Sequence, residues 1–423
     1  MALLKKLFKK RFSMGNIFKS IIYRCLKNPA VALKCDNVFS LRCQLNVNLD
    51  LCNPKQKRIL FCYLDLRRYI PCDTIHANYQ QAVQMLKCFI EMGFCVDVCF
   101  LNDYKTSLYI LDCNKKCNSY DIIIGHGSLY KKACKLECNK NALKILFVTE
   151  NFPLVVEKKY EERAKYLKQR HPKLDISCSP ARRGYFDEEI FTISDYAIVM
   201  NSLYNIEPMK NYVHKIYQIN SNIIFNKQFT FDKSTRLEAI KNTKKTFLWF
   251  GSCGLVHKGV DILLDTFREL PDLDINFYGL SDSEISIFNK LKSKNTNDCG
   301  RINVQTQAFI DNVVYKHCFL IMPSCSEGMN TSVATCMAHG IIPIVTKETG
   351  FEPCEYIIEL KDYKIETLKE CINNILAMSD EEILRMSEGA YNYAQENFCL
   401  EKFDKSFRKI MKEIVTDNNR IKQ

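Results

Sequence analysis

The chain has 423 residues, a formal net charge of +12, 47% hydrophobic residues and 26% charged residues. It is too long for one ordinary core, too apolar for a disordered chain, and lacks the run of about 18 apolar residues that a membrane span requires. Its 22 cysteines are scattered, several inside apolar runs (Cys62, Cys95, Cys99), and Lys or Arg interrupts every candidate signal stretch at the N-terminus. Reduced thiols in a cytoplasmic protein therefore fit better than a secreted disulfide frame.

Residues 1–55 read as a basic N-terminal extension. Residues 1–30 carry Lys5, Lys6, Lys9, Lys10, Arg11, Lys19, Arg24 and Lys27 and no acid. Leu4, Leu7, Phe8 and Phe12 share one helical face, and Ile17, Phe18, Ile21, Ile22 and Cys25 repeat the pattern after Gly15. A basic helix with an apolar stripe suits an anionic membrane surface. The same pattern also suits a helix packed on the protein with its basic face in water. A mitochondrial presequence fits less well, because Lys outnumbers Arg and Ser is scarce. Nucleic acid is not expected, since no basic–aromatic interleaving follows. Cys113/Cys117 and Cys134/Cys138 are spaced to face each other on helices, but no nearby His completes a metal set, and no metal or cofactor is expected.

From residue 56 to 228, short apolar runs alternate with helical spacing. "RILFCYLDL", "FCVDVCFL", "DIIIGHGS", "LKILFVTEN", "DYAIVMN" and "KIYQINS" read as buried strands, with a helix over Asn78–Met92 stopped by Gly93. Residues 229–245 turn polar and read as a linker. A second unit, 246–390, runs "KTFLWFGSCG", a helix from Val260, "LDINFYG", a helix near Ser283–Lys292, "INVQTQ", a short helix, "CFLIMPS", a helix after Met329, and "IIPIV". Residues 391–423 read as C-terminal helices. The fold class is α/β, with two doubly wound Rossmann-like domains facing a cleft, and such sheets bind ligands at the carboxyl ends of their strands.

Two stretches carry candidate chemistry. In "FGSCGLVHKGVDILL" a strand ends in a tight turn with Gly251, Ser252 and Gly254, followed by Lys258-Gly259 and a helix. Backbone N–H groups of such a turn can cradle phosphate, and Lys258 adds positive charge. The spacing is not that of a Walker loop. In "MPSCSEGMNTSVATCMAHG", Glu327 precedes Gly328, Met329, Asn330 and Thr331 at a helix start, whose free N–H groups favour an anion. Alternatively, Glu327 merely complements the helix dipole while Asn330 caps.

Strand–Gly turn–Lys-Gly–helix, followed some 70 residues later by Ser-x-Glu-Gly, a helix, Gly340 and an apolar strand, resembles the carboxyl domain of the GT-B glycosyltransferases of family 4. "DIIIGHG" and "IHANYQQAVQMLKCFIEMGFCVDVCF" extend the resemblance, more weakly, so that it covers roughly residues 57–400. It implies that Lys258 neutralises a nucleotide diphosphate and that Glu327 holds sugar hydroxyls. It further implies that His126 touches the sugar near the reacting carbon, and that the Gly328, Met329 and Asn330 backbone binds sugar or phosphate. Two positions depart from the family pattern. Cys253 and Ser252 stand where an Arg is usual, and Thr335 stands where a Glu usually pairs with the ribose hydroxyls.

His76, Asn78 and Glu150 lie at element ends on the expected acceptor side. Arg182 and Arg183, in "SPARRGYFD", can meet an acceptor phosphate or form a solvated surface pair. His257, His317 and His339 read as ordinary packed histidines. The implied partners are a nucleotide sugar and a glycan or lipid-linked acceptor, as in cell-surface polysaccharide or lipopolysaccharide assembly. The site of action would be the cytoplasmic face of a membrane that residues 1–30 touch. The alternatives are a non-catalytic nucleotide-sugar or glycan binder on the same fold and a nucleotide-sugar epimerase.

Overall fold

The computed structural model describes residues 43–66, 76–101, 119–182 and 184–421. Residues 1–30, Cys113/Cys117 and Arg183 lie outside the described residues.

The first half is a seven-stranded sheet made of β1 (Cys43–Val47), β2 (Arg58–Tyr63), β3 (Cys95–Phe100), β4 (Ile122–Gly125), β5 (Leu143–Val148), β6 (Tyr196–Val199) and β7 (Lys215–Gln218). The spatial order is β1-β3-β2-β4-β5-β6-β7, parallel except for the β1–β3 pair. Strands β2, β4, β5 and β6 are apolar apart from Arg58 and Lys144 because helices cover both faces. Helices α1 (Ala77–Glu91), α2 (Gly127–Cys134), α3 (Pro153–Arg170), α4 (Glu188–Thr192) and α5 (Leu203–Ile206) complete this half. Strand β1 falls inside the stretch read as an extension and makes the sheet's antiparallel edge.

The second half opens with α6 (Lys233–Thr243), where the sequence reads as a linker. Its Arg236 is buried and donates to the carbonyls of Val314, His317 and Gly340 and to Ser387 Oγ, so this polar stretch is anchored in the second core. There follow β8 (Thr246–Phe250), α7 (Val260–Arg268), β9 (Asp274–Tyr278), α8 (Ile285–Leu291), β10 (Thr296–Asp298), α9 (Gln307–Phe309), β11 (Phe319–Met322), α10 (Thr331–Met337), β12 (Ile342–Thr346) and β13 (Ile358–Leu360). The order β10-β9-β8-β11-β12-β13 is fully parallel. Its switch point lies between β8 and β11, the two strands that lead into the two motif stretches.

Strand β10 is a correction. It forms from Thr296–Asp298, whereas the apolar alternation in "INVQTQ" predicts a strand at residues 302–307. An edge strand tolerates polar side chains such as Asn297 and Asp298, while Ile302 and Val304 turn toward a cavity instead.

Two helices exchange partners between the halves. Helix α3 begins at Phe152 and Val155, in the first core, and ends with Leu167 in the second. Its polar residues follow the same path. Lys159 pairs with Glu348 at 3.0 Å, Arg163 donates to Pro323 O, and Arg170 pairs with Asp261 at 2.5 Å and also with Asp265. In return, after α11 (Ile365–Ala377) and α12 (Asp380–Asn397), the last helix α13 (Leu400–Ile421) packs on the first half. Its Phe403, Phe407, Ile410, Met411 and Ile414 join Met85 and Phe89 in that core.

Candidate functional site

Strand β8 delivers a loop that reverses sharply before α7. Gly254 has φ +116° and Gly259 φ +72°, conformations that L side chains rarely adopt. The loop after β11 is stitched to it. Cys325 N–H donates to His257 O at 2.8 Å, and His257 Nε2–H donates to Ser326 O. Burial pushes the His257 imidazole down to about 4, so it is neutral and structural.

This stitching presses Lys258 and Glu327 together. Lys258 Nζ lies 2.5 Å from Glu327 Oε1, with side-chain exposures of 4% and 13%. Ser324 Oγ adds a bond to the same oxygen at 3.2 Å. Burial alone would raise the Glu327 carboxyl, but Lys258, then His257 and Arg182, outweigh it and hold the group at about 2. The cation assigned to the diphosphate and the carboxylate assigned to the sugar therefore neutralise each other.

Other donors reserved for phosphate by the sequence reading are also occupied. Gly254 N–H (3.1 Å) and Leu255 N–H (2.6 Å) both donate to the buried Glu284 carboxylate, which also accepts from Ser179 Oγ and Ser281 Oγ. Asn330 caps α10 by accepting from Ser332 N–H (3.1 Å) and Val333 N–H (3.3 Å). Met329 N–H donates to Met200 O and Asn330 N–H to Thr349 O. What remains, among the described residues, are the N–H groups of Ser252, Cys253, Gly328 and Thr331. Gly328 is required by contact between the halves: a Cβ there would sit 2.2 Å from Thr149 O.

A cavity of about 620 Å³ opens beside these groups at the carboxyl ends of β8 and β9. Gly251, Ser252, Thr331 and Thr335 line it, as the sequence predicts for donor binding, and so does His76, assigned there to the acceptor side. Asn78 only donates its N–H to His76 Nδ1, at 3.4 Å, in the cap of α1. Thr335 Oγ1 is committed to Thr331 O at 2.7 Å, and no carboxylate lines the cavity among the described residues. Arg301 to Gln305 form another wall. Sequence reasoning missed this wall because it placed Ile302 and Val304 in a strand.

On the first half, β4 ends at its own switch point in His126. A Cβ at Gly125 would meet Cys62 O at 1.9 Å, so only glycine lets β4 lie this close to β2. His126 is 1% exposed. Its Nδ1 bonds Phe147 O at 2.8 Å, which makes that nitrogen the protonated one and leaves Nε2 an acceptor. Burial lowers the imidazole to about 4. Tyr63, Tyr185 and Phe186 enclose the ring at centroid distances of 5.3, 6.1 and 4.8 Å. Glu150, after β5, is pushed up to about 7, chiefly by burial against the pull of Arg182, with Glu327 raising it further and Lys258 opposing.

Among the described residues no group of three or more His, Cys, Asp or Glu converges as a metal site, and no helix is long and apolar enough to cross a membrane. Cys134 is buried and Cys138 exposed, both as free thiols.

Two doubly wound halves with their switch points turned to a shared cleft define the GT-B architecture of two-domain glycosyltransferases. Solved structures agree. The chain is similar to sucrose-phosphate synthase from Thermosynechococcus elongatus (TM-score 0.61, 13% identity, 86% of this chain and 100% of that one). It is also similar to a glycosyltransferase from Rickettsia africae (TM-score 0.54, 14% identity, 85% and 99%). A third is HepE from Anabaena, solved with UDP and glucose (TM-score 0.52, 10% identity, 85% and 100%). Neither a protein-family model nor a curated protein matches the chain in sequence.

Proposed function

We propose that the chain is a glycosyltransferase that moves a sugar from a nucleoside-diphosphate donor to a hydroxyl acceptor. The observation that carries this reading is the 620 Å³ cavity at the β8–β9 end, lined by Ser252, Cys253 and Thr331 with their unpartnered N–H groups, on the two loops that also carry the Lys258–Glu327 pair. The nucleoside occupies the cavity between Gly251, Ser252, Thr331 and Thr335. Donor binding releases Lys258 toward the diphosphate and frees Glu327 for the sugar hydroxyls. His126 Nε2 and Glu150 face the sugar and the acceptor from the first half.

In the transfer, the bond between the anomeric carbon and the diphosphate oxygen breaks. The acceptor oxygen bonds to that carbon, and the acceptor proton passes to the departing phosphate. Stabilising the leaving charge is then the main task, worth two to three orders of magnitude per well-placed donor. We take the reaction to retain configuration and to need no metal. The acceptor is a glycan or lipid-linked sugar of cell-surface polysaccharide or lipopolysaccharide assembly, reached by a peripheral protein at the cytoplasmic membrane face through residues 1–30. Deleting residues 1–30 should release the protein from anionic liposomes, and unchanged binding would sink the anchor.

The test of the main reading is a panel of nucleotide sugars assayed for slow release of free nucleoside diphosphate, with and without EDTA. Release with one donor, unchanged by EDTA, is expected. A thermal shift with a donor but no release would leave only a binding role, and neither release nor shift with any donor would overturn donor binding as well. One observation favours a second enzyme reading: Glu150 and Glu327 titrate far apart, as an acid/base pair does. A nucleotide-sugar epimerase would convert the donor itself, which chromatography of the recovered donor detects.

A further inference from the structure

The geometry points to Arg182 as the cation that receives the donor diphosphate, a role the turn at Gly251–Gly254 does not fill and Lys258 fills only by breaking its pair. This rests on the glycosyltransferase reading above. Arg182 belongs to the first half by sequence, yet the segment that holds it is fixed to the second. Tyr160 OH donates to Ser179 O, Ser179 Oγ donates to Glu284 at 2.7 Å, and Val256 N–H donates to Ser179 Oγ at 3.3 Å. Leu174 lies in the second core, with Ile176 and Cys178 against it. Three residues past Ser179, the Arg182 side chain lies along the turn, its Cδ 3.4 Å from where a Gly254 Cβ would stand.

The guanidinium is half-buried and makes no ion pair or hydrogen bond among the described residues. Glu327, Glu150, Cys253 and Glu284 act on its charge only from a distance. Of the carboxylates around it, Glu150 is pushed up to about 7 by burial and makes no ion pair with it, and the other two are already answered. Lys258 holds Glu327, and Glu284 is filled by two backbone N–H groups and two hydroxyls. A planar, partly desolvated cation left without a partner, beside the unpartnered N–H groups of Ser252 and Cys253, has the chemistry of a phosphate receptor. Because its segment is pinned to Glu284 and Val256, Arg182 belongs with the donor cavity although its sequence lies in the first half.

The experiment is calorimetry on the full chain with UDP, GDP, ADP and dTDP, and with the parent nucleosides by competition, for wild type, Arg182→Gln and Arg182→Lys. One diphosphate binds wild type. Arg182→Gln weakens that diphosphate at least tenfold and leaves its nucleoside within twofold, and Arg182→Lys recovers part of the loss. Diphosphate affinity within twofold of wild type in Arg182→Gln, or an equal loss for nucleoside and diphosphate, overturns the proposal while wild-type binding keeps the glycosyltransferase reading standing. Should Arg182→Gln not fold, Arg182→Lys decides: an unchanged diphosphate-to-nucleoside ratio overturns the role. Wild type that binds no diphosphate overturns both.

Discussion

The two halves share a winding scheme but finish their switch points in opposite ways. At the second, the turn at Gly251–Cys253 lines a 620 Å³ cavity, and the loops at the ends of β8 and β11 carry a charged pair. At the first, His126 is neutral, 1% exposed and enclosed by three aromatic rings. A polyanion needs charge and free N–H groups, whereas an acceptor hydroxyl needs only a dry, neutral hydrogen-bonding wall. On the proposed function, this difference suits the second half to the donor and the first to the acceptor.

The strongest way to break that division is Lys258→Ala. Donor turnover should fall by about a hundredfold or more, measured as nucleoside-diphosphate release. The variant should also lose about 3 kcal/mol of stability in denaturant unfolding, because it leaves a buried carboxylate unpaired. Lys258→Met with Glu327→Gln should regain most of that stability and none of the turnover. Unchanged turnover in Lys258→Ala would remove the charged half from the reaction.

His126→Phe probes the neutral wall. Donor affinity should stay within about twofold while transfer drops about tenfold, the loss of one buried hydrogen bond of about 1.4 kcal/mol. Equal loss in both would merge the two halves' roles.

Glu150 gives a smaller, pH-dependent effect. Its carboxyl, raised to about 7, is neutral below that pH and negative above it, facing Arg182, Glu327 and Lys258. Diphosphate affinity should fall about threefold more between pH 6 and 8 in wild type than in Glu150→Gln, since that charge opposes the anion at about 1 kcal/mol or less in a partly solvated cleft. Because the folded value lies above the ordinary carboxylate value, the group's contribution to stability is present at low pH and is lost as pH rises through about 7. Parallel affinity profiles would show that Glu150 does not face the diphosphate.

Least affected is Thr335. Its hydroxyl already serves Thr331 O, so Thr335→Ala should move nucleotide affinity less than about twofold, whereas Thr335→Glu should raise it about fivefold by offering a carboxylate to the ribose. A large loss in Thr335→Ala would mean that the hydroxyl leaves its backbone partner for the ligand.

Much of this was legible from the sequence because strand and turn signals are local. The runs at Arg58, Cys95, Ile122, Thr246 and Phe319 alternate with helices, and Gly251, Lys258 and Glu327 follow strand ends at fixed spacing. What could not be read is set by tertiary contact. Nothing near Lys258 announces that Glu327 will hold it, and nothing near Arg182 announces that it will lie on Gly254. Asn297 and Asp298 look too polar for a strand until the sheet edge exposes them. The polar stretch around Arg236 reads as a linker because its four partners are distant in sequence.

The crossing of α3 and α13 has a consequence for how the chain is made. Five side chains of α13 are buried in the first core, at about 2 kcal/mol each as an upper value, which is on the scale of a whole domain's net stability. The first half therefore lacks a wall until residues 400–414 have been synthesised, long after its own strands have emerged. Meanwhile its α3 presents Leu167 and Arg163 to a sheet not yet built. Such a nascent chain has to be shielded rather than folded domain by domain. A chain stopped at residue 399 should stay protease-sensitive across residues 43–228, and adding a peptide of residues 400–421 should restore protection.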